Sequence, residues 1–292
     1  MARDTRSTDV GEPPSEVADR LRVRPGFVLA DVQPRSTPGF KGGKAEGKAA
    51  LAAGGTRLSE LQERLFAEGR TGGHRSLLLV VQGMDTSGKG GIVRHVVGAV
   101  DPQGVHHHAI AAPTEEELAH DFLWRVRRAL PSPGQIGVFD RSQYEDVVVA
   151  RVRELVPRST WQARYELINK FERTMTEHGT TIIKVLLQIS LAEQQNRLAA
   201  RLARPDKHWK YDPGDIDERL RWPEYQQAYQ DVLDRCSIPE APWYVVPADR
   251  KWYARWAVQQ LLLDALERLD PKWPAASFDV AVERARLAAS SG

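Results

Sequence analysis

The sequence predicts an α/β fold, a three-layer arrangement in which helices cover both faces of a parallel sheet. Three observations carry that expectation. Apolar runs of strand length at 77–81, 136–139 and 181–189 are separated by segments of helical periodicity. The first run, Leu77-Leu78-Leu79-Val80-Val81, empties into Gly83-Met84-Asp85-Thr86-Ser87-Gly88-Lys89-Gly90-Gly91, a glycine-rich turn that opens a helix. The second, Ile136-Gly137-Val138-Phe139, ends on an acid, Asp140. Parallel strands joined by right-handed crossovers gather their loop ends on one sheet edge, where these segments can meet.

Taken in order, residues up to about Leu51 are rich in Gly, Pro, Ser and charge, as in Thr37-Pro38-Gly39-Phe40-Lys41, and predict an extended or partly disordered segment over 1–51 that wraps the core surface. A single α/β domain over 52–272 follows, with a tail over 273–292. Leu58, Leu61, Leu65 and Phe66 share one face of a helix from about Arg57 to Glu68. After the glycine-rich turn come a helix to Val100, a strand near Val105 to Ile110, and a helix from Thr114 to Leu130 opened by a Thr114/Glu117 capping box. Beyond Asp140 the pattern gives a helix from Thr160 to His178, a strand from Thr181 to Ile189, and a helix opened by a Ser190/Glu193 capping box and ended by Pro205. A helix near Asp217 to Cys236, a strand at Trp243 to Val246 and a helix from Tyr253 to Leu269 complete the core.

Composition narrows the function classes. The chain has 292 residues, a formal charge of +2 and 27% charged residues, too mild a balance for a nucleic-acid-binding module. A single cysteine, Cys236, excludes a disulfide framework and a cysteine metal cluster, and fits a reducing cytoplasm. No apolar run reaches membrane-spanning length, and the polar Met1 to Arg20 stretch has no signal-peptide core. His106-His107-His108 reads as strand filling, because alternation turns at most two of them one way. Trp222, Trp243, Trp252 and Trp256 read as core or subunit contacts, while Trp209 sits in a basic loop where it either stacks on a base or braces that loop.

The glycine-rich turn is a phosphate loop. Gly83, four residues, then Gly88-Lys89 aim backbone N–H groups at one spot at a helix N-terminus and place Lys89 to reach the outer phosphates. Position 90 is glycine where a hydroxyl would normally bind Mg²⁺, and Asp85 lies within the loop instead, so a carboxylate handles the metal or the attacking oxygen. Asp140, at the end of a neighbouring strand, fits a metal-holding role, and Arg141 can neutralise charge that develops during transfer. Arg197, Arg201 and Arg204 fall on one helix face and Lys207 and Lys210 continue the charge, a crowding that suits a polyanion and predicts a lid over about 197–216.

Together Gly83-Met84-Asp85-Thr86-Ser87-Gly88-Lys89-Gly90-Gly91, Phe139-Asp140-Arg141-Ser142-Gln143-Tyr144-Glu145-Asp146 and Lys207-His208-Trp209-Lys210 resemble the family-2 polyphosphate kinases, over about Phe27 to Leu269. The resemblance implies a thymidylate-kinase-like P-loop kinase fold with a helical lid and an enzyme that, with Mg²⁺ or Mn²⁺, reversibly transfers phosphoryl groups between inorganic polyphosphate and adenine or guanine nucleotides, as a homodimer or homotetramer. It implies catalytic roles for Asp85, Lys89, Asp140 and Arg141, with Asp85 and Asp140 on the metal. Phosphate and polyphosphate would lie against Gly83, Gly88, Lys89, Gly90, Arg197, Arg201, Arg204, Lys207 and Lys210, and the nucleotide against Asp85, Arg94, Tyr144 and Glu145. Pro113-Thr114-Glu115-Glu116-Glu117-Leu118 and Tyr144-Glu145-Asp146-Val147 look like the single-domain subgroup acting on both AMP and ADP. In that subgroup the positions of Asp140 and Gly90 are often Asn and Asp; this chain departs at both, which bears on the choice of acceptor, with Glu145 as the residue expected to make it. Two other classes use the same loop: an ATP-dependent nucleotide or small-molecule kinase, and a nucleotide-sensing P-loop protein without transfer activity.

Overall fold

The computed structural model describes residues 10–290. Strand β1 (Ser76–Gln82) is buried along its whole length, as an unbroken run of Leu and Val requires of a strand covered on both faces. With β2 (Val105–Ala109), β3 (Ile136–Asp140), β4 (Thr180–Gln188) and β5 (Trp243–Pro247) it forms a parallel five-stranded sheet in the order β2-β3-β1-β4-β5. The register pairs Val81 with Asp140 and Gln82 with Leu186, so the ends of β1, β3 and β4 open on one edge. The chain leaves β1 for one side of the sheet and later returns to the other, a switch point that leaves a crevice beyond the strand ends. The expected fold class is the observed one.

In chain order the helices of the first half are α1 (Pro14–Leu21), α2 (Lys44–Arg70), α3 (Lys89–His95), α4 (Glu115–Leu118), α5 (Trp124–Arg128) and α6 (Glu145–Val152). Those of the second are α7 (Arg158–Glu177), α8 (Leu191–Leu202), α9 (Gly214–Leu220), α10 (Trp222–Cys236), α11 (Lys251–Leu269) and α12 (Val280–Ala289). Alternation along β1 divides the core. Leu77, Leu79 and Val81 pack with Val17 of α1, Leu61 of α2 and Leu262 of α11, whereas Leu78 and Val80 pack with Val148 of α6, Ile168 of α7 and Val232 of α10. Trp243, Trp252 and Trp256 are core residues and Trp222 is half-buried between the two halves.

The extended segment expected over 1–51 is corrected for its described part. Helix α1 buries Val17 and Leu21, and Phe40 meets Trp252 and Trp256 edge-on at centroid distances of 5.3 and 4.7 Å. The Val23 N–H donates to Trp243 O at 2.8 Å, which covers the outer edge of β5. Helix α2 starts at Lys44, well before Arg57, although its glycines argue against a helix. The reason is tertiary: an ideal Cβ at Gly47 would lie 2.1 Å from the Trp252 ring, so the missing side chain lets α2 settle onto α11. Residues 1–9 of that segment, with part of the Met1 to Arg20 stretch, lie outside the described residues, as do 291–292 of the tail. The described tail contains the exposed helix α12.

Two long helices expected from periodicity are each a pair. The Thr114/Glu117 capping box forms as expected, but the helix ends at Leu118 and restarts at Trp124, after Asp121 has turned to accept from the Leu123 N–H at 3.1 Å. The Asp217 to Cys236 segment breaks at Arg221, where Pro223 occupies the first turn of α10 and lacks the N–H that continuation needs. Helix α6 has no counterpart in the sequence reading.

Packing gives two expectations. Gly47→Ala should lower the urea midpoint, because overpacking against Trp252 costs about 1–3 kcal/mol and outweighs the gain of about 1 kcal/mol in helix propensity. Gly55→Ala in the same helix, whose Cβ would come no closer than 3.8 Å to Ala99, should raise it. Burial pushes the Cys236 thiol up to about 12, so a disulfide reagent at pH 8 should find no reactive thiol until the chain is unfolded and one thereafter.

Candidate active site

The phosphate loop leaves β1 through Gly83, whose φ of +146° and whose ideal Cβ position, 2.7 Å from Leu187 O, both demand glycine. Thr86, at φ +64°, and Gly88, at φ +120°, bend the chain back before α3, and the Ser87 N–H closes the turn on Met84 O at 3.0 Å. The buried Lys89 ammonium donates to Gly83 O at 2.8 Å, so it is held across the mouth of the loop.

Register brings the second motif beside the first. Asp140 sits opposite Val81 at the end of β3, and its carboxylate forms no ion pair or hydrogen bond among the described residues. Arg141 adopts φ +66°, unusual for a non-glycine, and its N–H donates to Val81 O at 3.1 Å. That turn sends its guanidinium to Asp85 Oδ1 at 2.9 Å and to within 4.0 Å of Glu145 Oε2. Partial burial opposes the Arg141 charge, but Glu145 and Asp85 more than offset it and its pKa is raised. Burial likewise opposes the Asp85 carboxylate, yet Lys89, Arg141 and Arg201 hold it below its ordinary value. Glu145 is shifted the other way, chiefly by burial, although Gln82 donates to it at 3.0 Å.

The lid closes the cleft from α8, which begins at Ser190. Only half of the expected capping box forms: Ser190 Oγ accepts from the Glu193 N–H at 3.1 Å, but the Glu193 carboxylate turns to Arg197 Nε at 2.7 Å and Asp249 takes the Ser190 N–H at 2.8 Å. Arg201 holds the lid, donating to Lys210 O at 2.9 Å and to Asp215 at 3.2 Å. Burial and the facing Asp85 push the Asp215 carboxyl up to about 6. Arg204 and Lys207 pair with Asp206 on the lid's exposed turn. Trp209 donates its indole N–H to Asp206 O at 3.1 Å and carries Lys210 over its ring at 4.7 Å, an attachment within the lid turn itself.

Asp85, Lys89, Asp140, Arg141, Arg201, Arg204, Lys207 and Lys210 line one cleft of about 630 Å³, together with Gly88, Gly90 and Arg94. Four expected site residues are placed otherwise, of which Gly83 and Glu145, the latter accepting from Gln82, are not among the residues that line the cleft. Tyr144 is fully buried on the far side of β3, its hydroxyl donating to Glu172 at 2.8 Å and accepting from Lys184 at 3.0 Å, so it has no face to offer a nucleotide. Arg197 is 5% exposed and all its N–H groups have protein acceptors, which corrects the expectation that it holds polyphosphate. The sequence reading missed Lys251 and Arg255, one helical turn apart on α11, which line the same cleft. Burial lowers both pKa values, helped by Arg197 and, at Arg255, by Arg94; no ion pair to Lys251, Arg255 or Arg94 forms among the described residues. A like-charged pair four residues apart with no acid beside it was the available signal.

Among the described residues no three His, Cys, Asp or Glu side chains form a preformed metal cage. Asp140 and Asp85 at the cleft are hard oxygen donors of the number Mg²⁺ uses when substrate phosphates supply the rest of its shell.

The comparisons with known proteins agree with this arrangement. The family model described as polyphosphate kinase 2 matches residues 41–274. The AMP/ADP-polyphosphate phosphotransferase of Meiothermus ruber is 44% identical over 257 residues, covering 87% of this chain and 95% of that protein. The ADP-polyphosphate phosphotransferase of Rhodopseudomonas palustris is 41% identical over 230 residues, covering 75% of this chain and 78% of its own. A crystal structure of polyphosphate kinase 2 from Arthrobacter aurescens superposes with a TM-score of 0.92 at 57% identity, over 96% of this chain and 98% of that one. With its phosphate loop, its strand-end acid and its lid in one cleft and a family match over most of its length, the chain belongs to the polyphosphate kinase 2 family.

Proposed function

We propose that this protein is a polyphosphate-dependent nucleotide kinase that moves phosphoryl groups between inorganic polyphosphate and AMP and ADP. The observation that carries the reading is the cleft's division of charge. Acids cluster around Arg141, whereas Arg94, Lys251 and Arg255 line the same cleft with no ion pair among the described residues, a surface for a long polyanion that a compact donor would leave uncovered.

The step needs positioning more than covalent chemistry. A phosphate oxygen of the acceptor attacks the terminal phosphorus of the chain, the P–O bond to the next phosphorus breaks, and polyphosphate departs one unit shorter. That oxygen is already ionised near pH 7, so Asp85, held ionised by Lys89 and Arg141, orients rather than deprotonates it. Lys89 and Arg141 neutralise the charge that develops, and the lid excludes water through Arg201 and its turn. Asp85 and Asp140 would hold Mg²⁺ or Mn²⁺, which supplies charge neutralisation between the substrates. The single cysteine fits a cytoplasmic setting and the family resemblance fits a homodimer or homotetramer; no helix among the described residues is long and apolar enough to cross a membrane.

The deciding experiment incubates the protein with Mg²⁺, long-chain polyphosphate and AMP or ADP, beside reactions lacking polyphosphate or given ATP as donor. ADP and ATP should form from AMP only with polyphosphate; a requirement for ATP would transfer the assignment to an ATP-dependent kinase. Asp85→Asn should lower kcat at least about tenfold with KM nearly unchanged, whereas equal losses in both would contradict an orienting role. Glu145→Gln should change the ratio of kcat/KM for AMP to that for ADP by about tenfold; an unchanged ratio would remove Glu145 from the choice of acceptor.

A further inference from the structure

Arg197 is the most completely engaged cation in the cleft. Its Nε donates to Glu193 at 2.7 Å, its Nη1 to Thr86 O and Ser87 O at 2.8 Å each, and its Nη2 to Ala248 O at 2.5 Å and Asp249 O at 3.0 Å. A guanidinium has five N–H donors in a planar fork, and here five acceptors from three chain segments take them.

The two loop carbonyls matter most. In a trans peptide the C=O of one residue and the N–H of the next point opposite ways. Drawing Thr86 O to Arg197 turns the Ser87 N–H toward Met84 O, the bond that closes the loop. Drawing Ser87 O to the same nitrogen turns the Gly88 N–H away from Arg197. With Thr86 and Gly88 both at positive φ, these peptides need an outside anchor to keep one orientation. One turn further along α8, Arg201 grips Lys210 O and Asp215 of the lid. One helix thus carries a fork on the loop and a fork on the lid.

We propose that Arg197 is a positioning residue that fixes the phosphate-loop peptides and sets the lid in register with them, and does not itself hold the phosphate chain. Because it acts through geometry, a cation of another shape cannot replace it: lysine keeps the charge and loses the fork.

The test compares Arg197→Lys and Arg197→Gln with the wild type in the polyphosphate assay, and follows amide hydrogen exchange of residues 84–90 and of β4 without substrate. This rests on the polyphosphate reading for its kinetics, while the exchange measurement stands apart from it; an inactive wild type would fail the functional reading alone. For both variants kcat should fall about 10- to 100-fold, KM for polyphosphate should stay within about twofold and keep its salt dependence, and the loop amides should exchange faster with β4 unchanged. Near-normal kcat in Arg197→Lys with a raised polyphosphate KM in Arg197→Gln would make Arg197 a ligand and overturn the proposal. So would lowered thermal stability with unchanged kcat per folded molecule, or unchanged loop exchange in both variants.

Discussion

Everything at the cleft is referred to the C-terminal end of β1. That strand is buried throughout, hydrogen-bonded to β3 on one side and β4 on the other, and packed by a helical layer on each face. A chain so enclosed cannot slip by one residue without moving its whole side-chain set to the wrong face. Its last residues are therefore a fixed datum, from which the phosphate loop departs and beside which Asp140 and Arg141 are laid by register. The buried loop is held in turn by neighbouring elements, with Arg197 donating to Thr86 O and Ser87 O and Gln194 to Asp85 O.

Charge is distributed over that frame by element. The carboxylates that line the cleft come from the loop and the end of β3, and the cations from α3, α8, α11 and the lid turn. Arg141 is the hinge between the two populations, since it pairs with Asp85 while lying close to Glu145. Its left-handed backbone follows from this duty: a right-handed turn after β3 would send the side chain along a different path from the one that reaches both acids. Behind the site a second, dry polar cluster of Lys184, Glu172 and Tyr144, with Lys184 also donating to Cys236 O at 2.6 Å, ties β4 to α7 and α10 with no opening to the cleft.

Much of this was legible in the sequence because local patterns determine it. A buried run followed by Gly83 and Gly88-Lys89 has one economical reading, and Asp140 at the end of a short apolar run needs only strand pairing to arrive beside it. What escaped depended on neighbours. Periodicity put Arg197, Arg201 and Arg204 on one face of α8 but could not say that Arg197 faces the loop carbonyls while Arg204 faces solvent. Tyr144 was placed at the nucleotide by family resemblance, but its ring lies fully buried in the core with its hydroxyl on Glu172. The start of α2 was hidden because glycine disfavours an isolated helix, whereas Trp252 makes glycine necessary at position 47.

The lid's exposed turn has a consequence for how a polyanion is received. Asp206 engages both Arg204 and Lys207, so two of the cations on that turn already carry an internal counterion. A phosphate chain that docked there would exchange one anion for another rather than neutralise bare charge. Fewer small ions would then be released than the number of basic residues suggests, and the ionic-strength dependence of binding would be correspondingly shallow. Attraction would then be spent less on the lid than on Arg94, Lys251 and Arg255, and the lid would keep the capacity to let go.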